Sequence, residues 1–239
     1  MASRFNSLAR NLYREPIVQR AMRQSRKGRD ASQVEDYLAA HPVRRLQIGA
    51  GKNLRDGWLN TNWYPLEPGG DGTIFLDATE RFPLPDASFD YIFSEHMIEH
   101  VPYPGGQAML AECFRVLKSG GTLRIATPDM AFLIDLLKPE LSQLQRDYVA
   151  WAAEHFLNDG TPATPLAVVN NFVRDWGHVF IYDKATLTEC LERTGFTGVK
   201  DWAVGESDDA ELTGIDHPQR MPEGFLALES MIFQAVKPA

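Results

Sequence analysis

Leu46-Gln47-Ile48-Gly49-Ala50-Gly51 is the stretch on which the reading of the fold turns. An apolar run of strand length ends on two glycines one residue apart. Glycine has no Cβ, so the backbone there can turn sharply and approach a ligand closely. Two common phosphate-binding patterns do not fit. Lys52 follows Gly51, but Leu46 stands where a P-loop needs its first Gly, and Asn53 stands where it needs Ser or Thr. A dinucleotide fingerprint would need Gly or Ala at 54, and Leu54 is there.

On both sides of this turn the texture is strand alternating with crossover. Trp58 to Asn62, Thr73 to Leu76, Phe89 to Phe93 and Thr122 to Ala126 read as further strands. Gln107 to Leu117 reads as a helix with Met109, Cys113, Val116 and Leu117 on one face, stopped by Gly120-Gly121. Such alternation predicts a doubly wound, mostly parallel sheet of α/β class. Between Gly51 and Trp58 there is too little chain for a crossover helix. A turn broken by Gly57 is expected there.

Past Pro128 the pattern becomes helical and irregular. Met130 to Leu137 and Glu140 to Phe156 read as helices, and 158–180 as a loop-rich stretch carrying Phe172, Trp176 and Phe180. Asp183 caps a helix that runs to Arg193 and stops at Gly195. Phe196 to Val204 and Leu226 to Val236 are the last two predicted strands.

The residues after the glycine turn fall in an order that carries more than any one motif. Asp77-Ala78-Thr79 ends the third strand. Ser94-Glu95-His96 ends the fourth, followed by Glu99-His100. Then come Arg115-Val116-Leu117-Lys118-Ser119-Gly120-Gly121 and, later, His178 with Tyr182-Asp183. This order resembles the class I S-adenosylmethionine-dependent methyltransferases, specifically the type 11-like subgroup with a short Gly57-Trp58 link. The resemblance is dense over about 43–130, resumes near His178, and fades toward the last strands.

The resemblance implies a Rossmann-like seven-stranded, mostly parallel sheet with an antiparallel last strand. It also implies S-adenosyl-L-methionine as cofactor and S-adenosyl-L-homocysteine as product. Gly49, Ala50 and Gly51 would pass beneath the methionine and ribose. Asp77 and Ala78 would meet the adenine, and Ser94, Glu95 and His96 would border the methionine half. Asn62 stands where the family usually has an acid for the ribose hydroxyls. Because charged acceptors bond more strongly, Asn62→Asp is expected to tighten cofactor binding. Methyl transfer is an in-line displacement governed by positioning, and an oxygen nucleophile also calls for a base such as His. Of His96, His100, His155 and His178, the catalytic assignment goes to His178 and His96. Glu99-His100 is read as a structural pair.

Charge is unevenly divided. The chain has 239 residues and a net charge of −8, yet residues 1–45 hold ten basic and four acidic side chains. The acidic body is a poor surface for nucleic acid. Residues 1–42 are read as a helical arm, with Phe5, Leu8 and Leu12 on a first helix and Pro16 opening a second. A polar connector is expected over 23–30, and a third helix from a Ser32/Glu35 capping box. The arm is expected to fold over the cofactor pocket, pack in a homodimer or touch an anionic membrane, in that order. By the resemblance, residues 43–239 are read as the methyltransferase domain, with a substrate-side helical insert at 130–180.

Cys113 and Cys190 suggest neither a disulfide framework nor a zinc site, and no metal is assigned. No apolar run is long enough to span a membrane, and a cytoplasmic enzyme is expected. The acceptor is read as a small molecule, with O-methylation of a sugar or natural-product hydroxyl favoured. The alternatives are a nicotinamide-dependent oxidoreductase, disfavoured by Leu54 and Asn62, and an inactive binding or adaptor protein that keeps the fold.

Overall fold

The computed structural model describes residues 16–63, 72–158, 160–216 and 221–239. The readings placed on Phe5, Leu8 and Leu12 lie outside these residues. The elements in chain order are α1 (Pro16–Ala40), β1 (Arg45–Ile48), β2 (Leu59–Asn62), β3 (Ile74–Phe75) and β4 (Phe89–Glu95). A 3-10 turn (Ile98–His100), α2 (Tyr103–Val116), β5 (Leu117–Pro128), α3 (Met130–Asp135), α4 (Gln143–Phe156) and α5 (Pro165–Arg174) follow. The chain closes with α6 (Lys184–Thr194), β6 (Thr197–Trp202), α7 (Phe225–Glu229) and β7 (Ser230–Val236).

The seven strands form one sheet in the order β3-β2-β1-β4-β5-β7-β6. β7 runs antiparallel to β5 and β6, and the remaining pairings are parallel. β1 is flanked by β2 on one side and by β4 on the other, with Leu46 opposite Leu59 and Ile48 opposite Ser94. Strand order therefore reverses at β1/β4. In open α/β sheets the crevice at such a reversal, beyond the carboxyl ends of the strands, is where ligands bind. The glycine turn leaves β1 there. A turn rather than a helix joins β1 to β2, as the short link requires, and Gly57 takes a positive φ of 75° within it.

α1 corrects the reading of the arm. It is one helix, with neither a connector at 23–30 nor a new start at Ser32. Among its described side chains, Arg26, Asp30, Val34 and Tyr37 are buried, spaced along one face. Its polar run looks like a linker by sequence because its two buried polar groups work on backbone. Asp30 Oδ2 accepts from the Phe75 N–H at 2.9 Å, and Arg26 and Arg29 donate to the Thr73 carbonyl. β3 is an edge strand, and these side chains take up the hydrogen-bonding groups that an edge leaves exposed. Val34 and Tyr37 join the main core with Leu46, Ile74 and Phe89.

Two further corrections concern the C-terminal half. Within the stretch expected as loop, Thr164 caps α5 and Pro165 opens it. Val168 and Phe172 are its buried residues, and Asn170-Asn171 interrupt the apolar pattern that would have announced it. The segment expected as strand from Leu226 begins as helix α7, built of the helix formers Leu, Ala and Glu, before β7 starts at Ser230. A second core beneath α3, α4 and α5 gathers Phe132, Tyr148, Val168, Phe172 and Phe225. Trp151, Phe156 and Trp176 pack against it. The acidic segment 206–216 is tied down by pairing. Arg124, wholly buried on β5, bonds both carboxylate oxygens of buried Asp216, and Glu211 pairs with Arg45.

Candidate functional site

The glycine turn is held from two directions. Gly49 takes a φ of 69°, and a Cβ added there would come within 2.4 Å of Met97 Cγ. Ala50 N–H donates to the Thr61 carbonyl at 2.9 Å. Gly51 N–H donates to Asn62 Oδ1 at 2.8 Å, and Asn62 Nδ2 donates back to the Gly51 carbonyl at 3.0 Å. Buried Asn62 therefore laces the end of β2 to the turn with both ends of its amide. A carboxylate could make only the first of these bonds.

Beside the turn, β4 ends in Ser94-Glu95-His96. Ser94 is wholly buried, and its Oγ has no hydrogen-bond partner among the described residues. A buried hydroxyl left in this way beside a glycine turn fits a site that a polar ligand completes. At Gly51 an added Cβ would meet open space, so the turn also leaves room there. Arg55 donates to the Ile215 carbonyl; burial lowers its pKa, while Glu95 and Asp216 act against the shift. Asp77, after β3, caps its own turn: Oδ1 accepts from Thr79 N–H at 2.9 Å and from Thr79 Oγ1 at 2.6 Å. It also stands on the rim of a cavity of about 440 Å³ whose other wall includes Gln24, Asp30 and Val34 of α1. Ala78 is buried next to it.

The catalytic candidates converge one turn further on. His96 has a φ of 49°, uncommon for a residue with a side chain. Its Nε2 lies 2.8 Å from Ser230 Oγ, and its Nδ1 lies 3.5 Å from Glu99 Oε1. Glu99 is fully buried, and its Oε2 accepts from Thr127 Oγ1 at 3.0 Å. The Glu99 carbonyl accepts from Val179 N–H at 2.7 Å and Phe180 N–H at 3.1 Å, which hangs the loop after α5 on the 3-10 turn. That loop carries His178 to His100, with ring centroids 5.1 Å apart.

His178 Nδ1 lies 2.6 Å from the Phe172 carbonyl. A carbonyl can only accept, so Nδ1 carries the proton and Nε2 keeps its lone pair. Burial pushes the His178 pKa down, with Glu99 opposing the shift, so the neutral ring is favoured. His155 stays on α4, with Nδ1 bonded to the Trp151 carbonyl at 2.8 Å.

The structure thus brings Gly49, Ala50, Gly51, Asn62, Ser94, Glu95 and His96 to one strand edge, with His178 beside His100 and Glu99. Asp77 and Ala78 sit at the end of the outer strand. Met97, Thr127 and Ser230 escape sequence reasoning. Met97 is an ordinary apolar residue by sequence, and the other two are remote hydroxyls whose roles depend on β5 and β7 reaching the same edge.

A family model described as "Methyltransferase domain" matches residues 67–125. No curated protein matches the sequence. Among solved structures, a methyltransferase from Archaeoglobus fulgidus that depends on S-adenosylmethionine is 18% identical, with a TM-score of 0.50, covering 87% of this chain and 92% of its own. A Thermotoga maritima methyltransferase described as a possible histamine N-methyltransferase is 17% identical, with a TM-score of 0.47, covering 94% and 97%. Haemonchus contortus phosphoethanolamine N-methyltransferase 2, solved with S-adenosylmethionine, is 16% identical, with a TM-score of 0.44, covering 88% and 53%. At 18% identity the likeness to the Archaeoglobus fulgidus structure speaks for the fold alone.

Proposed function

We propose that this class I S-adenosylmethionine-dependent methyltransferase moves its methyl group to the hydroxyl of a small molecule, a sugar or a natural product. The observation that carries the reading is the shared strand edge. There, a glycine turn built for close approach lies beside an imidazole cluster suited to an oxygen nucleophile. The cofactor supplies an electrophilic methyl group on a sulfonium and leaves as S-adenosylhomocysteine.

In this reading Gly49, Ala50 and Gly51 give the backbone cradle, and Ser94, Glu95 and His96 offer polar partners to the methionine half. Asp77 and Ala78 flank the adenine. Asn62 acts mainly by holding the turn in shape. Toward the acceptor, His178 Nε2 takes the hydroxyl proton as the oxygen–methyl bond forms and the sulfur–methyl bond breaks. His96 is the second imidazole at the same edge. The insert over 130–180 stands beside this edge and sets acceptor choice. Among the described residues no helix is long and apolar enough to cross a membrane. A cytoplasmic setting is part of the proposal.

The test has two stages. Calorimetry with S-adenosylmethionine comes first. A panel of hydroxylated and amine acceptors, read by release of S-adenosylhomocysteine, follows. Turnover with hydroxyl acceptors is expected. Turnover confined to amines would reject the O-methylation reading, and no cofactor binding at millimolar concentration would reject the enzyme reading.

A further inference from the structure

Glu99, His100 and His178 each offer a ligand atom, and the three atoms lie within 4.8 Å of one another. The residues come from two chain segments, and the contact between those segments is held by two backbone hydrogen bonds to Glu99. The sequence alone points to no metal, because Glu99-His100 and His178 are 78 residues apart and only the folded loop brings them together.

We propose that Glu99, His100 and His178 form a mononuclear site for a divalent transition-metal ion. Two imidazoles and one carboxylate suit zinc and neighbouring transition metals; magnesium and calcium prefer all-oxygen sets. Two of the three ligands are oriented as such sites require. His178 donates from Nδ1 to the Phe172 carbonyl at 2.6 Å, which leaves Nε2 for the ion and fixes the ring. Glu99 is anchored through Oε2 by Thr127 Oγ1 at 3.0 Å, while Oε1 lies 3.9 Å from His100 Nε2. Bonds of about 2.0–2.2 Å place ligand atoms roughly 3.4 Å apart in a tetrahedral zinc site, so closure needs only small side-chain rotations.

The His100 side chain is 34% exposed. The cluster is therefore open on one side, and three protein ligands leave a coordination position for an outside group. Resting on the proposed function, that position takes the oxygen of the acceptor hydroxyl, whose proton the ion makes easier to remove. With the ion bound, the His178 Nε2 lone pair would be on the metal, so the proton-accepting role given to it in the ion-free site would pass to His96. Ion binding itself does not depend on that reading.

The experiment uses the full chain stripped with a chelator and titrated by calorimetry with zinc alone, without cofactor or acceptor. One ion per chain at micromolar affinity or better is expected. Cobalt in its place should give visible d–d absorption of a low-coordinate nitrogen and oxygen site, with magnesium unable to displace it. His100→Ala and His178→Ala are each expected to weaken zinc binding by about tenfold or more, and His100→Ala to leave S-adenosylmethionine affinity unchanged. His100 is partly exposed, so its replacement tests the site even where replacing His178 prevents folding. Absence of zinc binding by the wild-type chain, or unchanged binding by the His100→Ala variant, would overturn the site. A chain that binds zinc but not S-adenosylmethionine would support the site and defeat the proposed function, so the two failures are distinguishable.

Discussion

Asn62 shows how a single residue's role changes once its partners are known. By family pattern its lack of charge looks like a weakness in the ribose site, and Asp looks like an improvement. In the fold both amide groups are spent on Gly51. Asn62→Asp exchanges a donor for an oxygen facing the Gly51 carbonyl, and leaving a buried acceptor against an acceptor costs about 1–3 kcal/mol. The expected outcome is lower stability in urea together with weaker S-adenosylmethionine binding by calorimetry. Gly49 is the companion case. Gly49→Ala meets both a positive φ and Met97, and the backbone term alone is about 1–3 kcal/mol. Adding Met97→Ala should relieve the clash but not the backbone strain. A thermal-melting comparison of the two variants separates them.

At the scale of elements, side chains rather than strands hold the margins of the sheet. α1 closes the β3 edge through Asp30, and Asp30→Ala leaves the Phe75 N–H and buried Arg26 without that carboxylate. A loss of roughly 1–3 kcal/mol in urea denaturation is expected. α2 holds the 82–86 loop through Arg115, which donates to the Phe82 and Leu84 carbonyls and to Asp86. Glu112 pairs with Arg115 and accepts from Phe82 N–H, and the Arg115 hydrogen bond is the main reason its pKa falls below the usual 4.5. A carboxylate depressed in this way adds stability above its unfolded value, and that stability is lost as pH falls through the lowered one. Melting temperature between pH 6 and pH 3 should therefore fall less steeply for Glu112→Gln than for the wild type.

For the whole molecule, the boundary at residue 42 is the point at issue. Val34 and Tyr37 are buried in the main core, and burying such side chains contributes about 1.5–3 kcal/mol each. Set against a total stability of about 5–15 kcal/mol, with the β3 edge uncovered as well, removal of residues 1–42 should abolish cooperative unfolding. A cooperative transition in the 43–239 fragment would show that α1 is an appendage after all.

Much of this architecture is legible from local pattern. The succession of strands along the chain, the turn in place of a first helix, the Asp183 and Gly195 caps of α6 and the glycine turn all depend on neighbours within a few residues. α1, α5 and α7 are misleading by sequence where buried polar groups, paired asparagines or a helix-to-strand switch break that pattern. The chain by itself determined a doubly wound sheet with a glycine turn at Gly49–Gly51 after its first strand, because period and turn chemistry are local properties. Only the tertiary structure decided that Asn62 laces the turn, that Arg124 and Asp216 bury each other, and that His178 meets Glu99 and His100. Those contacts join residues 11, 92 and about 79 positions apart. No periodicity encodes such distances; the pairing of β1 with β2, the seating of Asp216 against β5 and the packing of the loop after α5 on the 3-10 turn set them.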